Sequence, residues 1–372
     1  MYSPKFSYTH QIVNNLMLIE KAKVIVDMLP LSADLEHTLR KQAKINMAHF
    51  STRIEGNPLD RAEAEQSILK RRDRHGLKAE QEVRNYWDAL TFLATSKKIK
   101  IAISENFIKR LHSIIEIRTS GRRQRESEYR GPMPPGVLFA VYDNVTKKAE
   151  YIPPEYQDVP MLMAEFTEWI NKNETDILPV PVKAAIASYQ LLTIHPFEDG
   201  NGRTARALAT YILSLGGYDL KGFNSMEEFY VEDLKGYYAN LQMGLPALYY
   251  DGRNAPDLTP WIDYFIRIME RAFQKVASFA QSKLNDHIDP RLRNLDPKDK
   301  IVLKLILVKD GEITPKDISG EFKDVNSRTI TKWAQGWIEK GLLEPASGEK
   351  RIRSYRIGSN YKHIKLSDLG YL

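Results

Sequence analysis

The sequence predicts a mainly α-helical protein with one β-hairpin in its middle and a winged helix-turn-helix unit at its C-terminal end. Apolar residues recur at helical spacing along most of the 372 residues, and only one central stretch has the pattern of paired strands. Residues 296–357 are typical of three helices followed by a basic ribbon. Because one core rarely serves a chain of this length, we expect an N-terminal helical region at 1–98, a central domain at 99–285 and a winged-helix domain at 290–372.

Composition permits several functions and excludes a few. The chain has 54 Lys and Arg against 48 Asp and Glu, and this mild basicity permits a nucleic-acid or ATP partner without requiring one. The absence of cysteine excludes disulfides, thiol catalysis and cysteine-bound zinc. The first residues lack a basic-then-apolar signal, and Pro179, Pro181 and Lys183 interrupt the apolar stretch before residue 195. We therefore expect a soluble, cytoplasmic protein that does not enter a membrane.

Two long helical patterns fill the N-terminal region. The first covers residues 31–54 without proline or glycine and is stopped by a Gly-Asn-Pro turn at 56–58. The second runs from about residue 62 to 93 and is interrupted near Gly76. A basic run at 70–75 is more typical of a solvated helix face than of an RNA-binding patch.

The central region begins with the predicted hairpin. Its strands cover residues 137–142 and 148–152, separated by an Asp-Asn turn. A helix follows at 158–171, with Asp158 as its expected cap and a proline in its first turn. Another helix, at 182–194, leads into the most informative segment of the chain.

That segment is the run His195-Pro-Phe-Glu-Asp-Gly-Asn-Gly-Arg-Thr-Ala-Arg206. Gly200 and Gly202 free the backbone to turn its N–H groups toward an anion, and an apolar-periodic helix then continues to Gly216. A helix N-terminus attracts anions through its unpaired N–H groups and its dipole. The segment therefore predicts a phosphate-binding loop.

The charged residues of the loop support phosphate chemistry. Arg203 and Arg206 lie three residues apart on one helix face and add positive charge. Asp199 beside phosphates suggests a magnesium ligand. His195 is the side chain most easily used as a base near neutral pH, although a single histidine is more often structural.

Three other loop types fit the same run less well. In a calcium loop, positions 1 and 12 would be Phe197 and Leu208, neither of which can bind calcium. A Walker loop needs Gly-Lys-Ser/Thr, which this run lacks. An ordinary Gly-Asn-Gly turn explains the glycines but not the surrounding polar residues.

The run is similar to the signature of the Fic family, His-x-Phe-x-Asp/Glu-Gly-Asn-Gly-Arg-x-x-Arg. The resemblance implies an enzyme that binds ATP and Mg²⁺ and transfers AMP to a protein hydroxyl. It implies that His195 is the general base, that Asp199 binds magnesium and that Phe197 is a core residue. The nucleotide-binding residues implied by the resemblance are Gly200, Asn201, Gly202, Arg203, Thr204, Ala205 and Arg206, with the two arginines as clamps on the β- and γ-phosphates.

The hairpin resembles the flap of Fic proteins, which lies over the active site and pairs with an extended segment of the target. The stretch implied to border the nucleotide is Lys148, Ala149, Glu150 and Tyr151. Tyr237 and Tyr238 resemble the aromatic pair on the adenine and ribose side, although such a pair is common in protein cores. Some relatives place an asparagine where this chain has Leu245, so base selectivity is less defined than the phosphate chemistry.

A second motif lies at the end of the first helix. Ser51 and Glu55 share a helix face, and Gly56 is where this helix would end. An acidic residue there opposes the helix dipole. The segment resembles the inhibitory motif of Fic proteins, Ser/Thr-x-x-x-Glu-Gly/Asn, and the resemblance implies that Glu55 pairs with Arg206 and withholds it from the γ-phosphate.

The C-terminal region predicts a winged helix. A helix covers 298–308, a second starts at Thr314, and a third at 327–340 carries an apolar stripe of isoleucine and tryptophan. Arg328, Thr331 and Lys332 could face a DNA major groove, and a basic hairpin at 350–356 would be the wing. Thirteen basic against nine acidic residues between 298 and 356 is modest for DNA, so target docking or dimerisation remains an alternative.

The sequence therefore predicts an adenylyltransferase that moves AMP from ATP to a Ser, Thr or Tyr hydroxyl. Its expected partners are target proteins on the flap and the chain itself, with a homodimer and DNA also open. Two other functions stay possible. The same site could remove AMP, with Glu55 orienting a water, or the chain could be a transcriptional regulator whose core senses nucleotide.

Overall fold

The structure is a computed structural model. It describes residues 2–29, 31–69, 77–116, 127–142, 149–172, 177–287, 290–293, 295–309, 311–323, 325–346 and 352–366. The chain forms two compact units, Met1–Ala280 and Gln281–Leu372. The described residues are mainly helical, which confirms the predicted fold class. None of the described helices combines the length and the apolarity needed to cross a bilayer.

The first unit begins with five helices. These are α1 (His10–Met28), α2 (Ala33–Ile54), α3 (Arg61–Leu69), α4 (Lys78–Lys98) and α5 (Glu105–Ile115). Helix α2 starts at Ser32, whose hydroxyl accepts the N–H of Leu35, and it ends where the glycine at position 56 was expected to stop it. Ala48 and Ile54 of α2 are buried in the same hydrophobic core as the helices that follow. The predicted basic run at 70–75 lies outside the described residues.

The hairpin is shorter than predicted. Strand β1 (Val141–Tyr142) pairs antiparallel with β2 (Ala149–Tyr151), whereas residues 137–140 form no strand. The predicted turn and Lys148 lie outside the described residues. Just beyond β2, the N–H of Ile152 donates to the Ala247 carbonyl at 2.9 Å, so the base of the hairpin is joined to a distant loop of the chain.

The centre of the first unit is a pair of helices. After α6 (Val159–Asn171) come α7 (Val180–Ile194) and α8 (Asn201–Leu215), whose side chains are nearly all buried. Asp158 holds the N-cap position of α6 without a side-chain cap bond, so its predicted capping bond is absent. Helices α9 (Glu227–Glu232) and α10 (Leu234–Gln242) follow, and α11 (Thr259–His287) begins in the first unit and continues past its boundary at Ala280. The loop between α7 and α8 is thereby mounted on two buried helices.

The second unit has its own hydrophobic core. Its elements are α12 (Pro290–Arg293), α13 (Pro297–Val308), β3 (Glu312–Ile313), α14 (Pro315–Glu321), α15 (Ser327–Glu339), β4 (Leu343–Pro345) and β5 (Tyr355–Ile357). The strands form an antiparallel sheet in the order β3-β5-β4. Buried Asp299 accepts hydrogen bonds from Trp337 Nε1 and Lys340 Nζ, which joins α13 to α15 and its C-cap. This order is typical of a winged helix, and that assignment stays a prediction.

Candidate active site

His195 ends helix α7 in a left-handed backbone conformation, with φ 49° and ψ 58°. Its Nδ1 lies 3.2 Å from the Leu192 carbonyl, so Nδ1 carries the proton and Nε2 keeps a free lone pair. Burial lowers the pKa of the imidazole to about 4. The ring is therefore neutral near pH 7 and can accept a proton at Nε2.

Arg130 holds the backbone on both sides of this turn. Its Nε donates to the His195 carbonyl at 2.9 Å, and its own N–H donates to the Pro196 carbonyl at 2.8 Å. The guanidinium also donates to the Pro154 carbonyl, just after the flap hairpin. Sequence reasoning missed this residue, because one arginine in a turn carries no signal of the distant carbonyls that it contacts.

The loop is closed from inside by a side chain. Asn201 accepts the N–H of Phe197 at 3.0 Å and donates to the Phe197 carbonyl at 2.8 Å. Phe197 is buried, as the resemblance implied, and stacks on His112 with 3.7 Å between ring centroids. His112 Nε2 lies 2.8 Å from the Asp199 carbonyl. Sequence reasoning missed His112, which comes from helix α5.

Glu55 lies against the start of α8. Gly200 has φ 75°, and after it the first N–H groups of the helix lack intrahelical partners. A Cβ built on Gly202 would lie only 2.3 Å from Glu55 Oε1. The Glu55 carboxylate thus contacts the backbone at a helix N-terminus, which is the position that favours an anion.

Arg206 is buried and saturated with partners. Its Nε donates to the Ser51 hydroxyl at 3.0 Å, and Nη2 donates both to the Ser51 carbonyl and to Glu55 Oε1 at 2.8 Å. Nη1 lies 3.5 Å from the Tyr237 hydroxyl. Burial alone would lower the pKa of Arg206, but the Glu55 charge raises it above its ordinary value. Ser51 and Glu55, at the end of α2, therefore accept hydrogen bonds from Nε and Nη2 of this guanidinium, and Nη1 faces Tyr237.

Arg203 has different acidic partners. Its Nη2 lies 2.8 Å from Glu116 Oε1 and 3.5 Å from Asp199 Oδ1. Burial raises the pKa of Glu116 to about 7, although the charge of Arg203 opposes this shift. Sequence reasoning missed Glu116, and an available signal was its place at a helix C-terminus, where an acidic residue opposes the dipole as Glu55 does.

A cavity of about 590 Å³ brings most of these groups together. His195, Gly202, Arg206 and Glu55 line it. The predicted residues Glu150, Tyr151, Tyr237 and Tyr238 also line it, together with Arg53, Gln242 and Arg253, which were not predicted.

The other predicted site residues lie behind or beside this cavity. Ser51 contacts it only through Arg206. Thr204 and Ala205 are fully buried, and the Thr204 hydroxyl donates to the Gly200 carbonyl at 2.8 Å. Asp199 lies at the outer side of the loop with 73% of its side chain exposed. Ala149 pairs with Tyr142 in the flap, so its contribution is a strand backbone.

Asp199 has the chemistry expected of a magnesium ligand beside phosphates. The described residues hold no group of three acidic or histidine side chains that would enclose a cation. Magnesium bound with substrate phosphates uses one or two carboxylates and keeps several waters. The exposed carboxylate of Asp199, fixed by the Gly200 N–H at 2.7 Å, fits that requirement.

Comparison with known proteins identifies the family to which the loop and its flanking helices are similar. Residues 102–213 match the family described as Fic/DOC, so this part of the chain is a Fic domain. Proteins named "Protein adenylyltransferase Fic" from Drosophila sechellia and Drosophila melanogaster are 30% identical over 186 residues, 48% of this chain. The chain spans about a third of the length of these curated relatives, since the match covers 34% of each.

Solved structures share the fold. A Fic family protein from Desulfovibrio desulfuricans G20 superposes with a TM-score of 0.58 and 21% identity, covering 96% of this chain and 99% of that one. Fic-1 from C. elegans gives a TM-score of 0.55 and 23% identity, covering 73% and 74%. At this identity the likeness concerns the fold alone.

Proposed function

We propose that the chain is a protein adenylyltransferase, which transfers AMP from ATP to a Ser, Thr or Tyr hydroxyl of a target protein. The observation that carries the proposal is the cavity that joins a neutral, half-buried His195 to the N-terminus of α8 and to Arg206. The names of the curated relatives support the same reaction.

The geometry suits an in-line displacement. His195 Nε2 takes the proton of the target hydroxyl while its oxygen bonds to the α-phosphorus. The bond from that phosphorus to the bridging oxygen breaks, and pyrophosphate leaves with its electron pair. The N–H groups at Gly202 and the two motif arginines stabilise the charge that develops on the phosphate oxygens. Asp199 would hold Mg²⁺, which supplies further positive charge to the phosphates when bound.

The flap supplies a place for the target. Two-residue β1 pairs with β2, and β2 carries Glu150 and Tyr151 into the cavity wall. An extended segment of another protein can add to such a hairpin through backbone hydrogen bonds. Recognition of this kind reads backbone more than side chains, so it suits Ser, Thr and Tyr targets alike.

Glu55 restrains the reaction in this proposal. Its carboxylate occupies the helix N-terminus at Gly202 and pairs with Arg206, so ATP must displace it or bind in a pose unsuited to attack. The test is incubation of the chain with α-labelled ATP, Mg²⁺ and a cell lysate. Native chain and Glu55→Gly are compared, with Glu55→Gly/His195→Ala as the control for chemistry at this site. Labelling no faster with Glu55→Gly than with native chain would contradict the inhibitory assignment.

The reverse reaction is a second candidate, because Glu55 and His195 line the same cavity and the Glu55 charge acts on the pKa of His195 against the effect of burial. In that case Glu55 orients a water toward the phosphorus of an adenylylated hydroxyl, so that AMP leaves and the hydroxyl is restored. A pre-adenylylated protein separates the two reactions. Release of AMP by native chain and its loss in Glu55→Gly would favour removal.

The second unit is proposed to be a winged helix that binds DNA or a protein partner, including a second copy. Arg328, Thr331 and Lys332 are exposed on α15, as a recognition helix requires. If they contact DNA phosphates, Arg328→Ala/Lys332→Ala should flatten the salt dependence of DNA binding by about one unit of slope per lost contact. Lys98→Ala, an exposed change in the first unit, is the control. No DNA binding at low salt would favour docking or dimerisation.

A further inference from the structure

We propose that Glu116 is a positioning residue, which aims the Arg203 guanidinium at the phosphate groups of the nucleotide. The inference rests on the proposed function, because it takes the loop before α8 as the phosphate site. Glu116 follows the last residue of α5, and its N–H still donates to the His112 carbonyl at 2.9 Å. Glu116 is therefore held in place by α5, a helix that is separate from the loop before α8.

The Glu116 carboxylate forms the floor under the loop. Its Oε1 lies 2.8 Å from Arg203 Nη2. A Cβ built on Gly200 would lie 2.6 Å from the same oxygen. Gly200 is thus required both by its positive φ and by the carboxylate beneath it, and the loop backbone rests directly on Glu116.

The pair that Glu116 makes with Arg203 is incomplete. Among the described residues, Glu116 Oε1 and Arg203 Nε are both buried and neither forms an aligned hydrogen bond. A buried donor without a partner is unusual in a native protein. Arg203 is therefore held by its ion pairs with Glu116 and Asp199 and not by a complete set of hydrogen bonds. Arg206 differs, because its Nε already donates to Ser51.

Asp199 is the competitor for Arg203. Its Oδ1 is 3.5 Å from Arg203 Nη2, and its side chain is mostly exposed. Without the Glu116 charge, Asp199 becomes the nearest acid, and the guanidinium would turn outward to pair with it. That turn would remove a clamp from the phosphates and neutralise the carboxylate proposed to hold Mg²⁺. Glu116 keeps the two groups apart.

The test uses inorganic pyrophosphate as the probe and calorimetric titration of the full chain, at a pH above the raised pKa of Glu116 so that its carboxylate is charged. All variants carry Glu55→Gly, which removes the Glu55 carboxylate from the N-terminus of α8. Simple electrostatics predicts that Glu116→Gln binds pyrophosphate more tightly, because a negative charge near the anion is lost. Positioning predicts the opposite, a Kd raised by about tenfold, because Arg203 would no longer be aimed to donate a charge-assisted hydrogen bond to pyrophosphate. Glu128→Gln, which removes an exposed charge, is the matched control and should leave the Kd unchanged.

A double variant and a shorter acid complete the test. In Arg203→Ala, adding Glu116→Gln should weaken pyrophosphate binding no further, because Glu116 acts through Arg203. Glu116→Asp keeps the charge but cannot reach Arg203, so it should also raise the Kd, and it carries the test if Glu116→Gln does not fold. If Arg203→Ala weakens pyrophosphate binding but the folded Glu116 variants bind pyrophosphate equally well or more tightly, the inference is overturned. No binding by the Glu55→Gly parent overturns the phosphate loop and this inference together.

Discussion

The His195 end and the Arg206 end of the cavity differ in how many hydrogen bonds their side chains already make. At the His195 end, the ring makes one hydrogen bond, through Nδ1, with the described residues, and Nε2 keeps its lone pair. At the Arg206 end, Nε and Nη2 are both committed to Ser51 and Glu55. In the function that we propose, the resting chain would have its base free and its phosphate clamp occupied. The proposed inhibition would then compete with substrate phosphate and leave the proton acceptor intact.

The largest expected effect is at the prepared end. In a Glu55→Gly chain, His195→Asn should lower AMP transfer by about 10²- to 10⁴-fold, because a general base is lost, while the ATP Kd changes little. Asparagine tolerates the left-handed backbone of this position better than most residues. Single-turnover transfer and calorimetric ATP binding give the two quantities, and His37→Asn on α2 is the control. Transfer at the parent rate would rule out His195 as the base.

The next effect tests the occupied end. Glu55→Gly should raise the transfer rate by about tenfold or more and tighten ATP binding, since a charge-assisted pair no longer holds Arg206. Arg206→Ala removes the clamp itself, so Glu55→Gly/Arg206→Ala should resemble Arg206→Ala alone. Labelled transfer to lysate proteins and to the chain itself measures both. A double variant as active as Glu55→Gly would show that Glu55 acts through some other group.

A smaller effect is expected from the second partner of Arg206, the Ser51 hydroxyl. Ser51→Ala removes the hydroxyl that accepts Arg206 Nε but leaves the Ser51 carbonyl and Glu55 in place. We expect transfer to rise by a few fold, as one hydrogen bond to a charged group contributes about 1.5–3 kcal/mol and part of it is replaced. Ser67→Ala, whose hydroxyl donates only along its own helix to the Glu63 carbonyl, is the matched control. Equal rates for the two variants would assign Ser51 a packing role.

The last prediction concerns the stability of the whole first unit and does not distinguish the two ends of the cavity. Burial lowers the pKa of His112 and His195 to about 4, below the unfolded value near 6.5. The unfolded chain therefore takes up protons first as pH falls, and the free energy of unfolding should decrease below pH 6.5 by up to about 1.4 kcal/mol per pH unit for each histidine. Urea titrations at pH 7, 6 and 5 measure it. His112→Asn should reduce this slope, and an unchanged slope would contradict the assignment to His112.

Sequence could predict what lies close along the chain. The loop and helix α8 follow from residues that are neighbours in sequence, and the end of α2 follows from Gly56. Arg130, His112 and Glu116 were missed because their contacts with the loop arise only when α5 and the following turn pack against α7 and α8. Strand length was overestimated for a similar reason. An alternating pattern shows which residues favour a strand, but pairing at 137–140 depends on a partner that the hairpin does not supply.

Helix α2 is part of the hydrophobic core, with Ala48 and Ile54 fully or almost fully buried. Removing the helix to free Arg206 would expose that core and amount to partial unfolding, a slow event with a high barrier. A rotation of the Glu55 side chain, which lies one residue beyond the helix, needs no such opening and occurs on the timescale of side-chain motion. If Glu55 inhibits as we propose, the inhibition would respond quickly to any anion or partner that competes for Arg206. A permanently active chain would then arise through substitution at the end of α2 and not through displacement of the helix.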